Sequence, residues 1–427
     1  MDTKLFIAQM TIKCGKVVAS DDYNNIISEN PVAYAKNLSE NNADRIFITD
    51  LSVTDDEHDE AIGIIKQICL TCEIPVIGTG HILRMEDVKK LLYAGCAHVV
   101  INFENETEKN ITDEVSHKFG KDKIIAMVNS LTSYNANKEI IAALCSRLIL
   151  TSENITTSSI ADVNVPVIIM HNASSFESMY DYLENIKTAG ITGEFINSNI
   201  TEITSYKHTC YEKNIPVITF EGADDFSTFK LNSDGMIPVV VQDYKTFEVL
   251  QVAYMNREAY EHTLLTGKMT YYSRTRQELW IKGETSGHYQ YVKELHVDCD
   301  RDTILAKVSQ VGAACHTGKY SCFFNELGKK DYDDTNPLKV FTDVYNVILD
   351  RKVNPKEGSY TNYLFDKGID KILKKLGEEA TEIVIAAKNP NPDEIKYEIS
   401  DFLYHMMVLM AEKNVTWEEI TNELARR

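Results

Sequence analysis

At 427 residues the chain is too long for one ordinary domain, and an apolar content of 44% is that of globular cores. Its 44 basic and 64 acidic residues give a net charge of −20, which argues against a general binder of nucleic acid or anionic membranes. Nucleotide substrates stay open, because a metal ion offsets carboxylate–phosphate repulsion locally. No stretch approaches the roughly 20 apolar residues of a membrane helix. The start, MDTKLFIAQM, lacks a basic region ahead of a long apolar run. Nine scattered cysteines fit reduced thiols in a cytoplasm.

Residues 1 to about 220 alternate short apolar runs with helical stretches. The expected strands are Leu5–Met10, Arg45–Thr49, Pro75–Ile77, His98–Ile101, Lys123–Val128, Arg147–Leu150, Val165–Met170 and Gly193–Ile196. Amphipathic segments such as Met85–Ala94 and Phe176–Thr188 lie between them. Eight such units predict a small (β/α)8 barrel. The Cys69-Leu70-Thr71-Cys72 pair has no second pair and reads as structural, at a helix end before the third strand.

Glu221-Gly222-Ala223-Asp224-Asp225 reads as a linker. After it come Ile237–Asp243, Val249–Tyr254, Thr270–Ser273, Tyr289–Val297 and Thr303–Val311, β-branched or aromatic runs that predict a β-rich α+β region. From about Leu338 the pattern is all-helical. Ile369, Ile372, Leu373, Leu376, Ala380, Ile383 and Ala387 make one stripe, and Ile395, Ile399, Phe402, Leu403, Met406 and Met410 another. Asn389-Pro390-Asn391-Pro392 separates them, with Pro392 suited to a first helical turn. The expectation is a multidomain chain: a barrel over 1–222, a middle domain over 223–328 and an all-α domain over 329–427.

The densest chemistry is Asp298-Cys299-Asp300-Arg301-Asp302 with Cys315 and Cys322. Three thiolates suit Zn²⁺, and three carboxylates suit Mg²⁺. Three protein ligands leave a zinc position open for water, whose pKa the metal lowers toward neutrality. The competing readings are a structural zinc completed by His316 or His296, free thiols, and a solvated acidic turn. A zinc deaminase would need His-x-Glu and Pro-Cys-x-x-Cys, and neither occurs.

The same region carries Asp234-Gly235-Met236-Ile237-Pro238, Tyr271-Tyr272-Ser273-Arg274-Thr275-Arg276, Leu279-Trp280-Ile281-Lys282-Gly283-Glu284-Thr285-Ser286-Gly287-His288 and Ala314-Cys315-His316-Thr317-Gly318-Lys319-Tyr320-Ser321-Cys322. Over about 229–327 it resembles the phosphoribosyl-AMP cyclohydrolase family of histidine biosynthesis. The resemblance implies Zn²⁺ on Cys299, Cys315 and Cys322, in a site shared across a homodimer. It implies Mg²⁺ on Asp298, Asp300 and Asp302. Hydroxide then attacks C6 of an adenine ring carrying ribose on N1, opening the N1–C6 bond. The motif histidines are His288 and His316, one of which shuttles the proton. Arg274, Trp280, Lys282 and Ser286 are the implied substrate contacts.

Downstream, Glu378-Glu379-Ala380-Thr381-Glu382 lies on the first stripe and Glu398-Ile399-Ser400-Asp401 on the second. Residues three or four apart share a helix face, so a tight turn brings two acidic pairs together. Converging carboxylates call for cations, here Mg²⁺. With Val347-Ile348-Leu349-Asp350-Arg351-Lys352 and Pro355-Lys356-Glu357-Gly358-Ser359-Tyr360-Thr361, residues 338–427 resemble the phosphoribosyl-ATP pyrophosphatase family. That implies attack of water within a triphosphate, releasing pyrophosphate. Glu379 and Glu382 are the implied catalytic acids, with Glu378, Glu398 and Asp401 as further Mg²⁺ ligands. Arg351, Lys352, Lys374 and Lys375 are candidate phosphate contacts.

Residues 1 to about 218 resemble the barrels of two later histidine-pathway enzymes, ProFAR isomerase and the cyclase subunit of imidazole glycerol phosphate synthase. The segments are Lys13-Cys14-Gly15-Lys16-Val17-Val18, Pro75-Val76-Ile77-Gly78-Thr79-Gly80, Glu86–Gly95 and Leu150-Thr151-Ser152. Thr11 stands at the family's first catalytic aspartate, and Val128-Asn129-Ser130 at the second. The phosphate loops read Gly78-Thr79-Gly80-His81 and His171-Asn172-Ala173-Ser174-Ser175. Threonine cannot replace a carboxylate base at neutral pH, so the barrel is expected to be inactive. The rivals are a trifunctional enzyme with a working barrel and a non-catalytic nucleotide sensor.

Overall fold

A computed structural model describes residues 3–19, 22–151, 155–170, 175–220, 224–333, 335–337, 339–390 and 392–425. The chain divides into two compact units, 1–326 and 327–427.

The first unit begins with β1 (Leu5–Lys13), followed by β2 (Lys16–Val18) and β3 (Ile26–Ser28), which extend β1 antiparallel. Then α1 (Pro31–Glu40), β4 (Arg45–Asp50), α2 (Asp55–Thr71), β5 (Val76–Thr79), α3 (Met85–Tyr93), β6 (His98–Asn102) and α4 (Glu106–Phe119) alternate. They continue as β7 (Ile124–Val128), α5 (Leu131–Leu144), β8 (Arg147–Leu150), β9 (Val167–Met170), α6 (Glu177–Glu184), β10 (Thr188–Thr192), α7 (Glu194–Ser198) and α8 (Ile203–Glu212). β1 and β4 to β10 run parallel, and β1 pairs with β10, so the sheet closes into an eight-stranded barrel.

Two apolar layers hold it. Ile7, Phe47, Ile77, Val100, Ile125, Ile149, Ile168 and Ala189, one from each barrel strand, fill the interior. Alternate residues, such as Phe6, Ile46, Val99 and Leu148, pack outward against the helices. Thr54 caps α2 in a reciprocal pair with Glu57, which fixes where that helix starts.

One barrel strand differs from the sequence expectation. The eighth is Thr188–Thr192, while Gly193 (φ 135°) starts the turn into α7, so Gly193–Ile196 is not a strand. Thr-Ala-Gly-Ile-Thr has Ala189 and Gly190 in its middle, where β1 comes close. A Cβ at Gly190 would sit 2.6 Å from the Leu5 carbonyl oxygen. Likewise the expected helix to Thr188 stops at Glu184.

Of the proposed linker, residues 221–223 lie outside those described, and Asp225 caps a short turn at Phe226–Thr228. There follow β11 (Ile237–Asp243), β12 (Val249–Met255), α9 (Arg257–Thr266), β13 (Thr270–Ser273), β14 (Glu278–Ile281), β15 (Gln290–Val297) and β16 (Ile304–Gln310). A four-stranded sheet runs β12-β11-β16-β15, with β13–β14 as a separate hairpin. β14 is an addition to the sequence expectation.

The barrel and this sheet meet through polar groups. Ser309 Oγ donates to Glu40 Oε1 at 2.7 Å in a buried contact. Lys293 Nζ lies 3.4 Å from Glu40 Oε2 and 3.0 Å from Glu73 Oε2, and the Tyr244 hydroxyl donates to Glu73.

The second unit holds α10 (Val340–Val353), α11 (Tyr360–Lys367), α12 (Ile369–Ala386), α13 (Pro392–Lys413) and α14 (Trp417–Ala425). Leu338 and Asn391 lie outside the described residues. α12 and α13 form the expected hairpin. Ile348, Leu364, Ile372, Met407, Val408 and Ala411 form the core that joins it to α10 and α11.

Candidate active sites

β15 and β16 are joined by a tight turn that carries the acidic cluster. Asp298 Oδ1 accepts the backbone N–H groups of Asp302 (3.0 Å) and Thr303 (3.2 Å). Arg301, at φ 65°, is left-handed and completes the curl. The result brings carboxylate oxygens of Asp298, Asp300 and Asp302 within 4.8 Å of one another. Loss of hydration opposes charge on Asp298, but the two backbone donors outweigh it and hold its carboxyl below the usual range. The Arg301 guanidinium points away, to Asp224 Oδ2 (2.6 Å), Thr228 O (3.0 Å) and Thr228 Oγ1 (2.8 Å). It therefore fixes the turn and does not neutralise it. This donor set of exposed oxygens fits Mg²⁺.

The thiols divide. Cys315 and Cys322 share the loop after β16, which is tied to β12 by the Cys322 N–H on the Leu250 carbonyl (2.7 Å). Thr317 Oγ1 donates to Cys315 Sγ at 3.1 Å, and Thr317 holds that thiol below its ordinary value. Burial and then Cys315 push the Cys322 thiol up. Cys315 is thus the first to ionise. Cys299 is exposed on the acidic turn and does not join them within 4.8 Å. One chain presents two converged thiols and one apart. A three-thiolate zinc would need a third donor beside this pair.

Of the remaining predicted residues, Lys282 and His316 lie near the thiol pair. Lys282 is buried, and burial lowers its pKa while the Cys322 and Cys315 charges work the other way. Its ammonium lies 5.9 Å from the Trp280 ring centre, and Trp280 pairs with Tyr271 across the hairpin. His288 Nδ1 lies 3.1 Å from the Ala313 carbonyl oxygen, which leaves Nε2 as the free position. Its ring lies against Gly312 (φ 61°), where a Cβ would come within 2.8 Å. Ser286 Oγ accepts the His288 N–H (3.2 Å), so it positions that histidine. His316 is exposed, with Nδ1 4.0 Å from Cys315 Sγ. Arg274 stacks 4.0 Å over Tyr254.

In the helical unit, Glu379, Glu382 and Glu398 bring carboxylate oxygens within 4.8 Å across the α12–α13 hairpin. Glu379 is 5% exposed, a position that carboxylates rarely occupy unpaired. Loss of hydration, then Glu382, Glu379 and Asp401, push the Glu398 carboxyl above its usual range. A divalent cation would relieve that crowding, so the donor set fits Mg²⁺. Asp401 is exposed and outside the converged set. Glu378 turns to Lys375 (2.8 Å) and Lys374 (3.5 Å). Lys375 also reaches Glu379 at 3.6 Å. Lys352 is engaged with the Ala411 carbonyl (2.8 Å) and Glu412 (3.3 Å), which makes it a brace between α10 and α13. Arg351 contacts Asp350 and offers its carbonyl to Asn362.

Two residues were not singled out from the sequence as site residues. His405 Nδ1 lies 3.8 Å from Glu379 Oε1 and 2.8 Å from the Asp401 carbonyl. Its Nε2 meets the Tyr360 hydroxyl at 3.1 Å. The signal was present: His405 is four residues after Asp401, on the same face of α13. Tyr360 also lines an open cavity of ≈ 590 Å³ with Lys356, Ser359, Asn362, Tyr363 and Asp366.

At the C-terminal mouth of the barrel, Thr11 is 4% exposed and pairs with Thr49. Thr79 Oγ1 donates to the Val100 carbonyl (2.9 Å), and the Asn129 N–H donates to Glu104. Gly80 (φ 101°) is required, because a Cβ there would lie 1.9 Å from the Asp50 carbonyl oxygen. The buried carboxylate of Asp50 is occupied by Ser52 N (2.9 Å), Ser52 Oγ (2.6 Å) and His58 Nδ1 (2.7 Å). Residues 171–174 of the second phosphate loop, and Ser152, lie outside those described. Cys69 and Cys72 are buried at the end of α2, and burial pushes the Cys72 thiol up to about 12.

Residues 251–324 match the phosphoribosyl-AMP cyclohydrolase family, 341–427 the phosphoribosyl-ATP pyrophosphohydrolase family, and 6–175 a histidine biosynthesis protein family. A histidine biosynthesis bifunctional protein HisIE of Thermoanaerobacter pseudethanolicus is 51% identical over 207 residues, 45% of this chain and 96% of that protein. The one from Caldanaerobacter subterraneus is 52% identical over 203 residues, 48% and 98%. That of Bacillus subtilis is 48% identical over 198 residues, 46% and 94%. Among the described residues, no helix is long and apolar enough to cross a membrane.

Proposed function

This chain belongs to the histidine biosynthesis bifunctional family, as a phosphoribosyl-AMP cyclohydrolase and phosphoribosyl-ATP pyrophosphohydrolase with an added N-terminal barrel, and from that premise we propose how its residues divide the work. Residues 329–427 cleave phosphoribosyl-ATP to phosphoribosyl-AMP and pyrophosphate. Residues 223–328 open the adenine ring of phosphoribosyl-AMP to give ProFAR. Residues 1–222 carry no chemistry of their own.

The observation that carries this reading is the convergence of Glu379, Glu382 and Glu398 across two helices. Mg²⁺ bound there would neutralise triphosphate charge and activate water, and Zn²⁺ on the thiols would activate water for ring opening. The protein's part is positioning. The Asp401 carbonyl requires a proton on His405 Nδ1, so Nε2 accepts from Tyr360. That chain fixes the His405 ring, whose Nδ1 lies 3.8 Å from Glu379 Oε1. Lys375, beside Glu378 and Glu379, stands where a phosphate would enter.

In the middle domain, Cys315 and Cys322 hold zinc with Cys299 of a second copy, in a homodimer. Asp298, Asp300 and Asp302 hold Mg²⁺ for the nucleotide phosphate. His288 Nε2, left free by the Nδ1 contact, moves the proton at the opened ring nitrogen. The scattered cysteines fit reduced thiols, which supports a cytoplasmic setting. The barrel mouth offers Thr11 and Asn129 where an acid–base pair would be needed, and Asp50 is fully engaged.

The test is a stepwise assay on phosphoribosyl-ATP with metal analysis. Cys315→Ser should accumulate phosphoribosyl-AMP, and Glu379→Gln should stall before it. Turnover of ProFAR by residues 1–220 would overturn the inactive-barrel assignment.

A further inference from the structure

The N-terminal mouth of the barrel holds a group of basic side chains that, among the described residues, makes no ion pair with a carboxylate. Arg45, His98 and Arg147 open β4, β6 and β8. Their ladder partners are Ile7, Ile77 and Ile125, all on the inner face. Partners in a parallel ladder share a face, so the three basic side chains also point inward. They form one layer below the apolar interior, and each is half-buried.

Arg45 Nη1 lies 2.9 Å from His98 Nδ1, and Arg147 Nη1 lies 3.2 Å from His98 Nε2. A neutral imidazole has one acceptor nitrogen, and a guanidinium only donates. One of the two contacts is therefore N–H against N–H. Protonating the ring makes both so. No tautomer of this trio is satisfied by itself.

Neighbouring charges do not resolve it. Neither arginine has a carboxylate within ion-pair distance among the described residues. Asp44, beside Arg45, is taken by Lys207 (2.5 Å) and by the Phe6 N–H (2.7 Å). His98 also feels Lys123, which opposes protonation, and Asp122, which favours it. Burial, then Arg45 and Arg147, push the His98 ring down to about 4. Burial and then Arg147 lower Arg45.

We propose that this mouth binds a small oxyanion of the phosphate or pyrophosphate class between Arg45, His98 and Arg147. Such an anion accepts from both guanidinium forks, which suit its geometry. It also turns the imidazole from a conflict into a third donor, so binding takes up a proton on His98. The site lies at the opposite end of the barrel from the mouth that carries Thr11, and it is independent of both hydrolytic centres.

The experiment uses the metal-loaded full chain with ring-¹³C-labelled histidine. Inorganic phosphate is titrated in one arm and pyrophosphate with excess Mg²⁺ in another. The His98 resonance, assigned by its loss in H98Q, should move saturably, with an apparent pKa raised by about one unit or more. The barrel's unfolding midpoint should rise with phosphate. R147Q should weaken phosphate binding about tenfold. It should also raise the midpoint of the anion-free protein, because it removes a repulsion, where a purely structural arginine would lower it. R45Q should behave alike and serves if R147Q does not express. A His98 resonance unmoved by either anion at tens of millimolar overturns the proposal. So does an anion-free R147Q less stable than wild type.

Discussion

His405 Nδ1 sits 3.8 Å from Glu379 Oε1, and both side chains are about 95% withdrawn from solvent. The pair links the carboxylate cluster to Tyr360 and the neighbouring cavity. His405→Gln keeps the bulk but loses the directed ring. Pyrophosphate release should fall about 10- to 100-fold, as for other residues that orient metal-binding groups. Ring opening of supplied phosphoribosyl-AMP should be unchanged, and a pyrophosphate-release assay beside an absorbance assay separates the two.

Three glutamates crowd across a hairpin, and the Mg²⁺ proposed there predicts a metal response of the helical unit. Adding Mg²⁺ to chelator-treated protein should raise the unfolding midpoint of that unit. Glu398→Gln removes one of the repelling charges. It should raise the metal-free midpoint and abolish most of the Mg²⁺ response. Calorimetry with and without the metal checks both directions.

Cys299 and the Cys315–Cys322 pair can be tested as halves of one site. Cys299→Ser and Cys315→Ser should each lack cyclohydrolase activity. Mixed and allowed to exchange chains, they should regain about a quarter of wild-type activity, since half the dimers then carry one intact site of two. No recovery after verified exchange would count against sharing.

The His98 ring is pushed down to about 4, from an ordinary value near 6.5. The sign follows from the proton count. Below about pH 6.5 the unfolded chain takes a proton that the folded barrel refuses, so stability falls as pH drops from there toward 4. Above that window His98 contributes no pH dependence. H98Q should flatten the barrel's midpoint between pH 7 and 4.5 relative to wild type, in buffer free of phosphate.

Gly190 tests the closure of the barrel. Alanine there would place a Cβ 2.6 Å from the Leu5 carbonyl oxygen, which is backbone and cannot swing aside. Gly190→Ala should cost the barrel about 1–3 kcal/mol, seen as an earlier transition in chemical denaturation. Both hydrolytic activities should survive at low temperature.

Ile237–Asp243 and Thr270–Ser273 were legible in the sequence and fall at the read positions, because a half-buried pleated surface selects the β-branched and aromatic side chains they carry. Thr188–Thr192 was not, because close approach to β1 puts Ala189 and Gly190 in the middle of the run and interrupts the strand signature of Thr188, Ile191 and Thr192. Glu278–Ile281 was hidden by its exposed, alternating polar face. The glutamates could be read because helical spacing reports directly on shared faces. The thiols could not be placed the same way, since spacing along one chain is silent on whether a ligand comes from another copy. His405 escaped because its role depends on Tyr360, 45 residues away in sequence.

The buried Ser309–Glu40 contact has a consequence for how this chain tolerates change. With no chemistry at the barrel's upper rim, as proposed, substitutions there should be nearly silent except where the backbone forbids them, as at Gly80. The end of α1 and the Glu73 loop cover the cyclohydrolase sheet, and damage there would strip a polar seam from a working enzyme. On the proposed reading the map of sensitivity is inverted relative to a catalytic barrel: the underside carries more of the constraint than the rim.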